Sequence, residues 1–229
     1  MPTPTSTPTF PGTVQSAPAR VKGFDADTPI SAAAASQYLA QGYRFCLRYV
    51  GRLVMDPGDL TTAEAQDILD AGLALMVVQH VDDEGWAPTA ALGTTYGTNA
   101  ASFAQKIGIP PGVMVWLDLE GVSTAALAGD VIAYCQSWYQ GVAAGGYVPG
   151  IYIGWQPGLS GQQIYDLPFQ HYWGGYNVDG DATPSCGWCL KQWPGSGGTV
   201  AGIEVDDYDD DFTMTDAKGR TVQWLSTAG

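Results

Sequence analysis

The chain has 229 residues, enough for one large domain, and 45% hydrophobic against 14% charged content supports a sizeable core. Nine basic residues face 23 acidic ones, and the formal charge of −14 repels nucleic acid and anionic membrane surfaces, so nucleic acid is excluded as an expected partner. No apolar run reaches the length of a membrane span, and the first residues lack the basic start and apolar centre of a secretory signal.

Residues 1–20 read as a Thr/Pro-rich tail or linker, a composition that favours extended chain, with contact to an assembly partner as a means of ordering it. Residues 21–229 form the folded domain. Val21 to Asp25 is a short strand, and Thr28-Pro29 opens a helix through Ala40 that Gly42 ends. Tyr43 to Val50 is the second strand, Thr61 to Ala71 a helix with Thr61 and Glu64 in capping-box spacing, and Leu73 to Val81 the third strand. A helix over Thr94 to Ile107 leads to the fourth strand, Val113 to Gly121. A long helix from about Thr124 to Ala144, a fifth strand at Gly150 to Trp155 and a weak helix near Gly161 to Tyr165 follow. Gln170 to Asn177, Cys189 to Trp193 and Ile203 to Tyr208 complete eight strands with little helix between the last three. This alternation predicts an α/β fold, a (β/α)8 TIM-type barrel with few helices near its end. Gly23-Phe24-Asp25-Ala26-Asp27 lacks the Gly-rich turn of a dinucleotide site.

The fourth strand carries the chemistry. Side chains alternate with period two, so Asp118 and Glu120 share a face that apolar residues would otherwise occupy. Desolvating one carboxylate beside another raises a pKa, and the strand end thereby offers a protonated acid and an ionised partner; the competing reading is a solvated strand terminus. In a barrel, chemistry sits at the C-terminal strand ends, where Asp25, Asp118, Glu120 and Asp206 all fall. Tyr49, Trp86, Tyr152, Trp155, Trp173, Tyr176 and Trp193 lie near the same ends, where flat faces with a polar edge suit sugar rings as well as core packing.

In order and spacing, GFDAD at strand one, WLDLE at strand four, GIYIGW at strand five, HYWGGYN at strand six, LKQWP at strand seven and GIEVDDYDDDF at strand eight resemble the family 25 glycoside hydrolases. These are lysozymes that cut the glycan of peptidoglycan, and the bacterial domains described as glycoside-hydrolase-like are similar. The resemblance spans roughly Val21 to Phe212. It implies Glu120 as the general acid, Asp118 and Asp206 as accompanying acids and Asp25 as the first-strand acid. It also ranks Tyr152, Trp173 and Gln192 highest as substrate-binding residues, beside Tyr49 and Trp193 from the aromatics at the strand ends. The implied activity is hydrolysis of a β-linked amino-sugar glycan, most directly peptidoglycan, by a secreted or phage-associated protein. The alternative class is a catalytically silent barrel that binds glycan or serves an assembly.

The sequence departs from the family where Asp206 is followed by Asp207, Tyr208, Asp209, Asp210 and Asp211 instead of Leu-Asn. That run is open to three readings: a solvated loop, a weak calcium site, or a shifted register that seats a different acid. Asp27 adds charge near the mouth that either raises the pKa of Glu120 or pairs with Arg48 or Arg52, and a salt bridge using Arg48 would make the constellation structural instead of catalytic. Cys186-Gly-Trp-Cys189 lacks a following helix and reads as a loop-stapling disulfide, whereas Cys46 and Cys135 read as buried small residues. His80 and His171 are far apart in sequence and read as core or pocket-lining, so no metal centre or cofactor is expected.

Overall fold

In a computed structural model, which describes residues 10–193, 198–200, 203–205 and 210–227, two strands are buried at every position. They are Ala74–Gln79 and Met114–Leu119, apolar runs that helices cover outside and side chains fill inside. The elements in chain order are β1 (Thr13–Ser16), β2 (Lys22–Ala26), α1 (Ala32–Ala40), β3 (Phe45–Val50), α2 (Thr62–Asp70), β4 (Ala74–Gln79), α3 (Ala90–Ile107) and β5 (Met114–Leu119). They continue with α4 (Ala128–Ala144), β6 (Val148–Ile153), α5 (Gly161–Tyr165), β7 (His171–Gly174), a 3-10 turn (Gly180–Ala182), β8 (Leu190–Trp193), β9 (Gly198–Val200), β10 (Ile203–Val205), β11 (Asp210–Thr213) and β12 (Gln223–Ser226).

Strands β2 to β8 run parallel, and β11 closes the ring between β8 and β2, antiparallel to both. The result is a closed eight-stranded TIM-like barrel. The sequence placed an eighth, parallel strand at Ile203 to Tyr208. Instead Ile203–Val205 pairs with Gly198–Val200 in a separate two-stranded sheet, and the last barrel strand is Asp210–Thr213. An antiparallel neighbour needs no crossover helix, which accounts for the connection from β8 to β11. It also places the first residues of β11, with the last residues of the parallel strands, at one mouth.

The stretch read as a tail contributes β1, which pairs with β12 from Thr13 against Ser226 to Ser16 against Gln223. Strand β12 in turn pairs with β4 at Leu225 and Leu75, below the point where β4 meets β5 at Val77 and Val115. The β1–β12 ribbon thus fills the seam at the end opposite the acids. Trp224 and Val222 join the barrel interior there with Phe45, Met76 and Met114.

Helix starts differ from expectation because the capping side chains lie elsewhere. Ser31, not Thr28, caps α1, and Thr89 caps α3, which starts at Ala90, four residues before the expected Thr94, while Thr61 caps α2 as its spacing indicated. Helices α3 and α4 pack backbone to backbone: a Cβ at Gly93 would lie 2.2 Å from the Tyr134 carbonyl oxygen, and one at Gly97 2.3 Å from that of Trp138.

Arg48 faces outward from β3 and is fully buried between barrel and helices. Its Nε pairs with Glu64 Oε1 at 2.6 Å, and its other nitrogens donate to the carbonyls of Ala26 and Gly58. Glu64 Oε1 also accepts from Ile30 N at 2.7 Å. Arg48 is therefore committed outside the barrel and does not neutralise the mouth. Replacing Glu64 by Gln leaves a buried guanidinium without its countercharge, and urea unfolding should show a loss of about 3–5 kcal/mol. A loss within experimental error would contradict this assignment.

Candidate active site

The pleat of each strand decides which acids meet. Trp116 fills the interior from β5, so Asp118, two residues on, also points inward, and Glu120 follows just past the strand. Gly121 then turns the chain with φ +60°, and its N–H donates to the Trp155 carbonyl at 2.9 Å. The Trp86 indole N–H donates to the Glu120 carbonyl at 2.9 Å, fixing the backbone of the acid. Opposite it, a Cβ at Gly154 would lie 2.0 Å from Glu120 Oε2, so this site admits only glycine beside the carboxyl.

Asp25 from β2 and Asp211 from β11 complete the group. Both are buried, and hydrogen bonding from Asp211 favours the ionised form of Asp25. Tyr49 donates to Asp25 Oδ2 at 3.0 Å and Gln192 Nε2 to Asp25 Oδ1 at 3.0 Å. Gln192 Oε1 accepts from the Tyr152 hydroxyl at 3.1 Å and from Tyr176 N at 3.3 Å. Trp173, only 1% exposed, donates its indole N–H to Asp211 Oδ1 at 2.8 Å. Its place is under the acids as a support, where no sugar face can stack on it. Tyr152 and Gln192 are likewise buried, whereas Trp193 is exposed, as are Trp155 and Tyr176 at the neighbouring strand ends.

Burial is the main cause of every carboxyl shift in the group. Asp118 is pushed well above the ordinary carboxylate range by burial, then by the charges of Glu120 and Asp25. Among the described residues no hydrogen bond reaches its Oδ1. Glu120 is raised by burial, an effect opposed by a hydrogen bond from the Trp155 backbone and reinforced by Asp25. Asp25 is raised by burial, against hydrogen bonds from Asp211, Tyr49 and Gln192. The same environment drives the Tyr49 and Tyr152 phenols upward, by burial and then by neighbouring carboxylates, so both remain donors.

Of the four acids expected at the mouth, Asp25, Asp118 and Glu120 come together, and Asp206 lies outside the described residues. Asp211 stands with the other three, an acid that the sequence left within an ambiguous run. Arg52 pairs with Asp82 at 2.6 Å, and Asp27 accepts from Thr28 at 3.1 Å, so neither follows the ion pairing considered for them. Cys186 and Cys189 are free, buried thiols with separate partners: Arg220 Nη2 reaches Cys186 at 3.2 Å, and Cys189 donates to the Tyr172 carbonyl. The expected disulfide is absent.

Carboxyls whose pKa is raised on folding hold more protons in the native state than in the unfolded chain. Stability is therefore greatest below their ordinary range and declines as pH rises toward the raised values. Asp118→Asn removes the most affected group. Thermal unfolding should show the variant gaining on wild type as pH rises from about 4 toward neutrality. A difference that is constant with pH, or that favours wild type increasingly, would contradict the assigned shift.

The sequence matches a family model, and the fold matches solved structures. No curated protein matches the chain. The Tat-secreted protein Rv2525c of Mycobacterium tuberculosis superposes with a TM-score of 0.63 at 18% identity, covering 87% of this chain and 98% of that one. A bacterial lysozyme from Streptomyces coelicolor gives 0.55 at 15% identity, with 86% and 93% covered. The spore cortex lytic enzyme SleM of Clostridium perfringens gives 0.64 at 12% identity, with 90% and 71% covered. At these identities the likeness is one of fold. The model of the Rv2525c-like, glycoside hydrolase-like domain matches residues 36–219, most of the chain, and the protein belongs to that family.

Proposed function

We propose that the protein is a glycoside hydrolase that cleaves a β-linked amino-sugar glycan, with peptidoglycan as the first substrate class. The observation that carries this reading is a set of four inward-facing carboxyls, three of them raised by burial, at the mouth of a barrel rimmed by exposed Trp155, Tyr176 and Trp193. A cluster of this kind destabilises the fold and is kept where its proton inventory is used.

Glu120 is the acid. It is less enclosed than Asp25 and Asp118, and its raised pKa favours the protonated form that an acid catalyst needs. The proton passes to the glycosidic oxygen as the bond from that oxygen to the anomeric carbon breaks, and a water molecule supplies the hydroxyl that completes the sugar. Asp118 faces the developing positive charge. Burial and neighbouring acids oppose its ionisation, so a cation in front of it stabilises the ionised form more than in open water. Asp25 and Asp211, held by Tyr49, Gln192 and Trp173, orient the group. Exposed indole and phenol faces at the rim suit the apolar faces of sugar rings. A site of action outside the cell, on wall glycan, accords with the Tat-secreted and spore-cortex proteins that share the fold.

Glu120→Gln keeps size and hydrogen bonding but removes the proton. Release of reducing ends from purified peptidoglycan should fall by about two to four orders of magnitude, with an unchanged or higher melting temperature. If wild type binds an amino-sugar glycan but releases nothing from any of those tested, the barrel is a silent binding module and the hydrolase reading fails.

A further inference from the structure

His80 follows β4 and continues its inward face, two residues beyond Val78 in the barrel interior. Strands β4 and β5 pair in register up to Gln79 and Leu117, so His80 is level with Asp118. Its imidazole stacks on Tyr49, with ring centroids 4.7 Å apart and planes 26° from parallel, and Tyr49 is the residue that holds Asp25. Nε2 lies 2.8 Å from Asp59 Oδ1. Asp59 is almost wholly enclosed at 1% side-chain exposure, whereas the imidazole is 33% exposed.

The carboxyl of Asp59 is held at its other end as well, because Oδ2 accepts from Asp56 N at 2.7 Å. A close turn supports it: Asp59 N donates to the Asp56 carbonyl at 3.0 Å, and a Cβ at Gly51 would lie 1.6 Å from the Val54 carbonyl oxygen. An ionised carboxylate only accepts hydrogen bonds, so Nε2 carries the hydrogen, and in the neutral ring Nδ1 is left as an acceptor. Among the described residues no side chain occupies Nδ1.

We propose that His80, oriented by Asp59, accepts a hydrogen bond at Nδ1 from a hydroxyl of the bound glycan, as a substrate-binding residue on the β4 side of the mouth. Asp59 is its positioning residue. This inference rests on the glycan reading above. It gives the mouth a polar contact on β4, apart from the aromatic rim, where Trp155 and Tyr176 follow β6 and β7 and Trp193 ends β8. It also gives a reason for a buried carboxylate at Asp59: turning the imidazole would leave that carboxylate unpaired.

The test is 15N NMR of the two imidazole nitrogens in wild type, with the ring neutral, while N-acetylglucosamine oligomers are added and indole fluorescence reports binding separately. The expected result is hydrogen on Nε2, a bare Nδ1, and a shift of the Nδ1 resonance that saturates with the fluorescence change. His80→Phe keeps the stack on Tyr49 but removes the acceptor, and Asp59→Asn keeps the shape of the positioning group; each should weaken oligomer binding roughly fivefold to tenfold. Fluorescence saturation with an unmoved Nδ1 resonance, or hydrogen on Nδ1, overturns the assignment of His80 and leaves the glycan reading standing. No binding of any oligomer by wild type overturns both.

Discussion

Everything at the mouth depends on the burial of its carboxyls. The barrel turns Asp25, Asp118, Glu120 and Asp211 inward, while Arg48 on β3 points out of the barrel to Glu64. Burial penalises the ionised forms, and the group lowers its energy by holding protons. The shift of Asp118 is one expression of this. A site that stores protons in a dry cleft is suited to acid catalysis at a bond between sugars, and the residues around it hold the carboxyls in place.

The fold supplies that arrangement by two devices. Seven parallel strands bring their C-terminal ends to one side, and an antiparallel eighth contributes its beginning to the same side. At the other end, the β1–β12 ribbon seals the seam between β4 and β5 with Trp224, which lies 5.5 Å from the Phe45 ring. The mouth can therefore be polar because the base is closed by apolar packing. The neighbouring layers serve the same end: Gln79, behind the interior, binds the Trp138 indole and the Gly51 and Tyr96 carbonyls, tying β4 to α3 and α4.

Much of this was legible in the sequence, for physical reasons that also set the limits. Asp118 and Glu120 announce themselves because a period of two fixes their common face whatever the rest of the fold does. Asp25 follows from the same rule at a short strand. Asp211 does not: in a stretch with acids at 206, 207, 209, 210 and 211, the inward one is decided by pairing with Gln192 and Gly23, which is information about other strands. Local composition similarly hid β1, since Thr and Pro suggest extended chain but not the partner at Gln223–Ser226 that makes a strand of it. Trp173 shows the converse limit. A tryptophan at a strand end reads as a sugar platform, but pleat and neighbours put it beneath Asp211.

The central claim is that this cleft holds protons on its carboxyl groups to a higher pH than free side chains do. Carbon-13 NMR of the side-chain carboxyls, followed through a pH titration of the folded protein, measures this directly. The account predicts that Asp118 titrates well above the ordinary carboxylate range and that Asp25 and Glu120 are raised as well. Ionisation of all three at or below about 4, as free side chains show, would contradict it.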